Sequence, residues 1–299
     1  MQTFCTTQRL VLYRLDQSDA PFILELLNTD AWKKFIGDRN ITSVNDASAY
    51  IQKIEATKTV SYWTVKLKDT ATSIGVITFI KRDYLDYHDI GFAFLPQYSK
   101  LGYAYEATIG SLAALSATHS SPEILASTLA TNSNSIQLLQ KLGFSFIKKI
   151  THDNDSLQLF SINSECCKLD KLCFDFYSLF TCSTTVQHRV NELSQLCLPS
   201  ASFENTTLNR NEKHSLTEFI ESRQKILNNG SYTNFEEFEL SRTISLDTST
   251  AIRVSNYQKQ GIRDGKAFLD KGVKQFQLRK TSYGWKIEKV SWFDELHTT

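Results

Sequence analysis

The first half of the chain alternates between segments with a period-two hydrophobic pattern and segments with a helical pattern. Period-two alternation or a short apolar run predicts a strand, and apolar residues at i, i+3 and i+4 predict a helix. The predicted strands are residues 9–15, 61–68, 74–81, 89–95, 123–129, 144–150 and 157–162. The predicted helices are residues 18–37, 43–54, 103–117 and 135–142. This order, β-α-α-β-β-β-α-β-α-β-β, indicates a sheet flanked by helices.

Residues typical of helix ends support these assignments. Ser18 or Asp19 can cap the first helix, and Ser43 with Asp46 three residues later resembles a capping box before the second. Gly37 is typical of a helix end, because glycine adopts the left-handed conformation that commonly terminates a helix.

The pattern changes near Asn163. Three amphipathic segments predict helices at 165–181, 186–198 and 215–227, and the polar segment 199–211 predicts a loop. Four period-two segments follow, at 236–247, 250–261, 274–282 and 285–295. Helices followed by a meander of strands indicate a separate α+β domain. We therefore expect two domains, 1–163 and 164–299, and the total length of 299 residues agrees with that number.

Composition excludes several classes of protein. The formal net charge of +1 gives no electrostatic reason to expect nucleic acid or a membrane surface as a partner. The chain has no apolar run of membrane-spanning length and no apolar signal core at its start. Its six cysteines form no CxxC pair and have no histidines at zinc-ligand spacing, so we expect free thiols, no metal and a cytoplasmic location.

The segment from Asp89 to Glu106, DIGFAFLPQYSKLGYAYE, combines a buried strand, a break and the start of a helix. Pro96 ends the strand, because proline cannot donate to a sheet ladder. The start of a helix has free N–H groups and the positive end of the helix dipole, and Gly102 lets backbone approach a ligand closely. We expect this turn to bind a phosphate-bearing cofactor.

Four motifs, in this order along the chain, resemble the GCN5-related N-acetyltransferase (GNAT) superfamily. They are T-Q-R-L-V-L-Y-R-L, I-G-V-I-T-F-I, D-I-G-F-A-F-L-P-Q-Y-S-K-L-G-Y-A-Y-E-A and N-S-N-S-I-Q-L-L-Q-K-L-G-F. The branch most similar contains the ribosomal-protein N-terminal acetyltransferases, and the resemblance covers about the first half of the chain. It implies a mixed sheet flanked by helices and acetyl-CoA as the co-substrate.

The resemblance also implies which residues bind acetyl-CoA. The family holds the pyrophosphate on backbone N–H groups of a Q/R-x-x-G-x-G/A turn, and the pantetheine arm lies where two neighbouring strands splay apart. The implied pyrophosphate residues are Ser99, Lys100, Leu101, Gly102, Tyr103 and Ala104. The implied pantetheine contacts are Phe92, Ala93, Phe94, Asn132 and Ser135. Ser99 departs from the usual Arg or Gln, and Lys100 stands where glycine is common. A structural alternative for Ser135 is a helix N-cap, with Asn132 in the preceding turn.

For catalysis, the implied reaction is attack of a neutral amine on the thioester, which needs a general base. Asp89 opens a strand at a position where relatives often carry Glu, and it is the predicted base; the alternative is a solvated carboxylate beside His88. The late helix lacks the tyrosine that the family often uses as general acid, and Ser135 is its nearest hydroxyl, so the acid stays unassigned. Glu106 fits a structural role at a helix start. Asp38 could attract a cationic acceptor or lie in an ordinary surface loop.

The second half resembles the nuclear-transport-factor-2-like superfamily, which includes SnoaL-like and ketosteroid-isomerase-like domains. H-S-L-T-E-F-I-E-S-R-Q-K-I-L and the segment from Gly272 to Glu295 carry the resemblance. It implies a cone-shaped α+β domain with a curved antiparallel sheet, which binds a ligand or forms a homodimer. Tyr232, His214 and Arg253 are its possible pocket residues.

These patterns together predict an N-acetyltransferase that moves the acetyl group of acetyl-CoA to a primary amine, either a protein N-terminus or a small amine. Two alternatives stay open. One is a non-catalytic acyl-CoA-binding regulatory protein, and the other places isomerase or hydrolase chemistry in the C-terminal domain.

Overall fold

The computed structural model describes residues 2–153, 155–183, 186–207 and 212–295. The chain divides into two compact units, Met1–Lys168 and Leu169–Thr299. Within the described residues, no helix has both the length and the apolar character needed to cross a membrane.

The first unit contains a mixed sheet of eight strands in the order β1-β2-β3-β4-β5-β6-β8-β7. Its strands are β1 Thr3–Thr6, β2 Leu10–Arg14, β3 Val60–Leu67, β4 Ser73–Ile80, β5 Asp89–Phe94, β6 Glu123–Leu129, β7 Ser145–His152 and β8 Asp155–Asn163. Its helices are α1 Ala20–Leu27, α2 Asp30–Phe35, α3 Val44–Ala56, α4 Tyr103–Thr118 and α5 Ser133–Lys141. The predicted α+β class, with a mixed sheet flanked by helices, is confirmed.

Side-chain caps decide where the first helices begin and end. The predicted box of Ser43 and Asp46 caps α3, with each side chain accepting the other's backbone N–H. The predicted helix 18–37 is wrong as one element, because the Thr29 side chain accepts the N–H of Trp32 and starts a new helix there. Asp16 caps the 3-10 turn that leads into α1, and the Asp19 side chain completes this capping box. Asp19, one of the two predicted caps, is the N-cap position of α1 but makes no side-chain cap hydrogen bond there.

The core of the first unit explains why the helices lie against the sheet. Ile23, Leu27 and Ile51, from α1 and α3, are almost fully buried with Tyr62 and Val76 of the sheet. The fourth helix packs against β1, β2, β4 and β5, and its run of buried residues from Glu106 to Leu112 includes small side chains that allow close approach to the strands.

The second unit contains a six-stranded sheet in the order β10-β9-β14-β13-β12-β11. Its strands are β9 Cys197–Asn205, β10 Glu212–Ser215, β11 Tyr232–Leu246, β12 Thr250–Arg263, β13 Lys266–Thr281 and β14 Gly284–Asp294. The helices of this half are α6 Ser164–Ser178, which crosses the division between the units, α7 Leu193–Leu196 and α8 Leu216–Asn228. The four predicted period-two strands are present, and α8 begins with a capping box of Ser215 and Glu218.

Two predictions for the second unit are wrong. The predicted helix 186–198 is reduced to a 3-10 turn and the four residues of α7, and most of the predicted loop 199–211 is β9, with 208–211 outside the described residues. β9 pairs in parallel with β14, whereas the four strands of the predicted meander pair antiparallel with one another. Pro199 lies between the pairs Cys197–Ile287 and Ser202–Lys289, where the register shifts. A bulge tolerates proline, so the residue that suggested a loop does not prevent a strand.

A network of buried charges joins α6 to this sheet. Asp170, 2% exposed, pairs with Arg242 of β11 and Arg253 of β12. Arg253 also donates to Glu239 through Nε, at 3.1 Å, and Nη2, at 2.7 Å. The charges in this network compensate each other, and its hydrogen bonds fix how α6 lies on the sheet.

Removing the charge of Asp170 tests that role. Asp170→Asn leaves two buried guanidinium groups short of a counter-charge, so we expect it to lower the free energy of unfolding by about 3–5 kcal/mol. Hydrogen exchange of β12 and β13 peptides measures the change in the second unit. Asp175→Asn is the matched control, because Asp175 lies on the same helix in a pair with Lys171 at the surface, and its cost should be about 0–1 kcal/mol. Equal costs for the two variants would contradict a stabilising role for the network.

Candidate active site

Strands β5 and β6 run parallel but pair at one position only, Asp89 with Leu125. The hydrogen bond from Leu125 N to His88 O lies at the same level. Beyond it β5 continues to Phe94, and β6 pairs with β8 along its other edge. The strands therefore diverge after Asp89, and part of the β5 edge has no neighbouring strand among the described residues.

The register of β5 shows which backbone groups face this opening. Backbone groups of successive residues in a strand point to opposite edges. Leu95 N bonds to Ile74 O of the neighbouring β4 side, and His88 O bonds to β6, so even-numbered residues point toward the opening. Phe92 and Phe94 therefore present N–H and C=O groups to it, as expected from the sequence. The expected backbone contact of Ala93 does not fit this register, because its groups face Val76 of β4.

The turn after β5 forms a concave surface of backbone N–H groups. Lys100 has φ +61° and Gly102, the N-cap of α4, has φ +80°, both in the left-handed region. The positive φ of Lys100 is the physical reason why glycine is common at this position. Within the described residues, the N–H groups of Lys100, Leu101, Gly102, Tyr103 and Ala104 donate no hydrogen bond. Free N–H groups at a helix start, beside two residues in the left-handed region, are suited to bind an anion.

A buried carboxylate fixes this turn to β2 and to the residues before it. Glu106, 2% exposed, accepts from Thr7 Oγ1 at 2.6 Å and from Arg9 N at 2.7 Å through Oε1. Its Oε2 accepts from Arg9 Nε at 2.6 Å. Arg9 Nη1 then donates to Leu101 O at 3.0 Å, and the guanidinium lies 4.4 Å from the centre of the Tyr103 ring. The structural role expected for Glu106 is thus seen, in the form of these hydrogen bonds.

Sequence reasoning did not identify Arg9. The signal was present, because Arg9 belongs to the T-Q-R-L motif that carries the family resemblance. Nothing in the pattern along the chain relates that motif to a helix start 97 residues later.

Asp89 lies where β5 and β6 separate. Its side chain is buried, so the solvated alternative is wrong. Oδ2 accepts from Arg82 Nε at 2.9 Å and from Ser127 Oγ at 3.0 Å. Oδ1 is buried and has no hydrogen-bond partner among the described residues. Burial raises the pKa of Asp89 above its usual range, although Arg82 and Ser127 favour the ionised form.

Asn132 and Ser135 lie together at the start of α5, across the opening from β5. Asn132 is the N-cap and its Oδ1 accepts the N–H of Ser135 at 3.2 Å. Ser135 is therefore inside the helix, and the alternative that made it the cap is wrong. Its hydroxyl makes no hydrogen bond with the described residues and stays available to a ligand.

The residue predicted to attract the acceptor and the predicted pocket residues of the second unit do not form one site. Asp38 is exposed; its carboxylate accepts the N–H of Asn40 and lies 3.9 Å from Lys33 Nζ. In the second unit, Arg253 belongs to the buried ionic network rather than to a pocket. Tyr232 packs edge-on against Phe235, and His214 lies 3.9 Å from Glu212.

Comparison with known proteins agrees with the geometry of the first unit. Residues 9–145 match the family model of the acetyltransferase (GNAT) domain. A GNAT-family acetyltransferase from Bacillus anthracis has 22% identity over 55% of this chain and 99% of its own, with a TM-score of 0.48. An uncharacterized protein from Bacillus halodurans has 11% identity over 56% of this chain and 93% of its own, with a TM-score of 0.50.

A third similar structure is the spermidine N-acetyltransferase from Vibrio cholerae in complex with CoA and spermine. It has 15% identity over 53% of this chain and 98% of its own, with a TM-score of 0.47. None of the curated proteins matches the chain. The Bacillus halodurans structure, with a TM-score of 0.50, bears on the fold only.

Neutralising Glu106 tests how strongly it holds the turn. Glu106→Gln removes the charge from three hydrogen bonds, so we expect α4 and the β1–β2 turn to lose about 1–3 kcal/mol of local stability. Hydrogen exchange of peptides from residues 3–14 and 99–112 measures this loss. Glu55→Gln is the control, because Glu55 is exposed and accepts a single hydrogen bond from Gln17. Unchanged exchange in Glu106→Gln would show that the carboxylate does not hold these segments together.

Proposed function

From the acetyltransferase (GNAT) domain in the N-terminal part of the chain, we propose that the protein transfers the acetyl group of acetyl-CoA to a primary amine. The observation that carries the proposal is the opening between β5 and β6, which lies between an anion-binding turn and the buried carboxylate of Asp89. Acetyl-CoA has a pyrophosphate, an arm with amide groups and a thioester in that order. This order matches the turn, the opening along β5 and the carboxylate of Asp89.

The pyrophosphate of acetyl-CoA binds the free N–H groups of the turn from Lys100 to Ala104. The N–H of Ser99, which the sequence also predicted as a pyrophosphate contact, already donates to Pro96 O at 3.0 Å. The pantetheine arm lies along β5 and hydrogen-bonds to the backbone of Phe92 and Phe94, which face the opening. Asn132 and Ser135 contact the arm from the start of α5. Acetyl-CoA thereby occupies the place of a strand between β5 and β6, and its amides satisfy groups that the sheet leaves unpaired.

In the reaction, the amine nitrogen attacks the carbonyl carbon of the thioester. The new C–N bond forms and the C–S bond breaks, which yields the acetylated amine and CoA. Asp89 takes the amine proton, directly or through a water molecule, and its raised pKa brings it closer to the pH at which a general base is effective. A proton returns to the thiolate, and the free hydroxyl of Ser135 is the nearest donor on α5.

The acceptor is a protein N-terminus or a small amine. The ribosomal-protein N-terminal acetyltransferase branch is our first choice, because its motifs resemble those of the first unit most closely. We further propose a nuclear-transport-factor-2-like, SnoaL-like domain for the C-terminal half, with an accessory ligand-binding or dimerising role, and a cytoplasmic homodimer as the working form.

A non-catalytic acyl-CoA-binding protein is the second candidate function. The observation in its favour is the composition of α5, SNSIQLLQK, which has no tyrosine to protonate the leaving thiolate. Binding of acetyl-CoA, with no transfer to any amine of a panel that includes protein N-termini and polyamines, would favour this candidate.

A bulky residue at position 102 tests whether this turn binds the phosphates of the cofactor. Gly102→Val places a β-branched side chain at φ +80° and a Cβ 3.2 Å from Arg9 Nη2. We expect binding of CoA, measured by isothermal titration calorimetry, to fall at least ~100-fold, because the strained turn no longer aims its N–H groups at the phosphates. Gly265→Val is the control, since Gly265 has φ +77° with nothing within 4 Å of its Cβ and lies in the other unit. Normal CoA binding by Gly102→Val would exclude this turn as the phosphate site.

The pH profile tests Asp89 as the base. The carboxylate must be ionised to accept a proton, so kcat should fall as the pH decreases through the raised pKa of Asp89. Arg82→Met removes the cation that favours ionisation of Asp89, so the acidic limb should move to higher pH.

Asp89→Asn should abolish that limb and lower kcat about 10²- to 10⁴-fold, with CoA binding kept. Asp86→Asn, at an exposed position nearby, is the control. An unchanged profile in Asp89→Asn would rule out its role as base.

A further inference from the structure

Arg9 connects three elements at the anion-binding turn. Its Nε is held by Glu106 of α4, its own backbone N–H bonds to the same carboxylate, and its Nη1 holds the carbonyl of Leu101. Because Glu106 is buried and accepts from Thr7 as well, the guanidinium has little freedom to leave this place. Arg9 therefore acts as a rigid link between the start of β2 and the turn.

Holding the carbonyl of Leu101 also sets the direction of the next N–H group. The peptide unit between Leu101 and Gly102 is planar and trans, so its C=O and N–H point in opposite directions. With Leu101 O directed at Arg9 Nη1, the N–H of Gly102 must point away from Arg9, to the side where the other unpaired N–H groups of the turn are available. Without the bond from Arg9 to Leu101 O, the Leu101–Gly102 peptide could rotate. The carbonyl oxygen of Leu101 would then face the anion in place of the Gly102 N–H.

The sequence of the turn makes such a link necessary. Position 99 carries serine, whereas the turn of the family usually carries Arg or Gln, and Lys100 adopts φ +61° without being glycine. The positive φ of Lys100 weakens the intrinsic preference of the turn for its anion-binding conformation, and Ser99 contributes no cationic side chain to it. Arg9 Nη2 lies 3.2 Å from the position of a Cβ on Gly102, so a cationic group is present beside the turn although Ser99 supplies none.

We propose that Arg9 is a positioning residue for the pyrophosphate of acetyl-CoA: it fixes the Leu101–Gly102 peptide so that the Gly102 N–H faces the phosphates. This inference rests on the proposed function, because it takes acetyl-CoA as the ligand of the turn. It adds to that function a residue from the β1–β2 turn, outside the anion-binding turn itself. The role concerns the phosphates only, so the thioester end of the ligand should not depend on it.

The test compares a ligand that has the phosphates and the adenosine with a ligand that has the acetylated pantetheine arm only. CoA contains the pyrophosphate and S-acetylpantetheine does not. We expect Arg9→Met to raise the Kd of CoA about 10- to 100-fold, as for loss of a hydrogen bond that involves a charged group. The Kd of S-acetylpantetheine, measured by NMR titration, should stay within about twofold. Arg9→Lys keeps a charge for Glu106 but lacks the planar fork that reaches both partners, so it should fold normally and still weaken binding of CoA.

Arg14→Met is the matched control. Arg14 lies at the end of β2, the strand that Arg9 precedes, and donates to Ser61, so this variant should bind both ligands as the wild type does. Equal losses for the two ligands in the Arg9 variants, or an unchanged Kd for CoA, would overturn the positioning role while the proposed function stands. Failure of the wild-type protein to bind CoA would overturn the proposed function and this inference with it.

Discussion

The single pairing between β5 and β6 is the constraint on which the candidate site depends. Two parallel strands that stay together would satisfy each other's backbone groups and leave no space for a ligand. Here the pairing stops after Asp89, so N–H and C=O groups of β5 stay open in the interior of the sheet. Unpaired backbone groups are costly when buried, and a ligand with amide groups can satisfy them. The same separation places the turn before α4 at one end of the opening and the carboxylate of Asp89 at the other.

Buried carboxylates hold helices to strands in both units. In the first unit Glu106 binds Thr7 and Arg9, and in the second Asp170 binds Arg242 and Arg253. Buried ion pairs add little net stability compared with apolar packing, but leaving one partner unpaired is expensive. Such a pair therefore penalises any other arrangement of helix and strand. In the first unit that specificity has a functional consequence, since the arginine that neutralises Glu106 also holds the turn.

Local signals in the sequence predicted most of the regular elements. The alternation of β3, β4, β6 and β12 and the capping boxes of α3 and α8 are visible from neighbouring residues alone. The failures in the second unit lie where a distant contact decides. β9 is a strand because β14 and β10 lie on its two sides, and Pro199 is tolerated in it because the register shifts there. The weak amphipathic pattern of residues 186–198 predicted a helix, because a local pattern contains no information on which strands pair with a segment.

For the site, the sequence by itself determined the chemistry of the groups: a glycine turn before a small-residue helix, a carboxylate at the start of β5, and an Asn–Ser pair at the start of α5. These depend on residue type and short spacing, which a motif preserves. Only the tertiary structure decided that Asp89 is buried with one oxygen unpaired, that Phe92 and Phe94 rather than Ala93 face the opening, and that Arg9 holds Leu101. Burial, register and contacts over some ninety residues arise from how the strands and helices pack, and no local pattern encodes them.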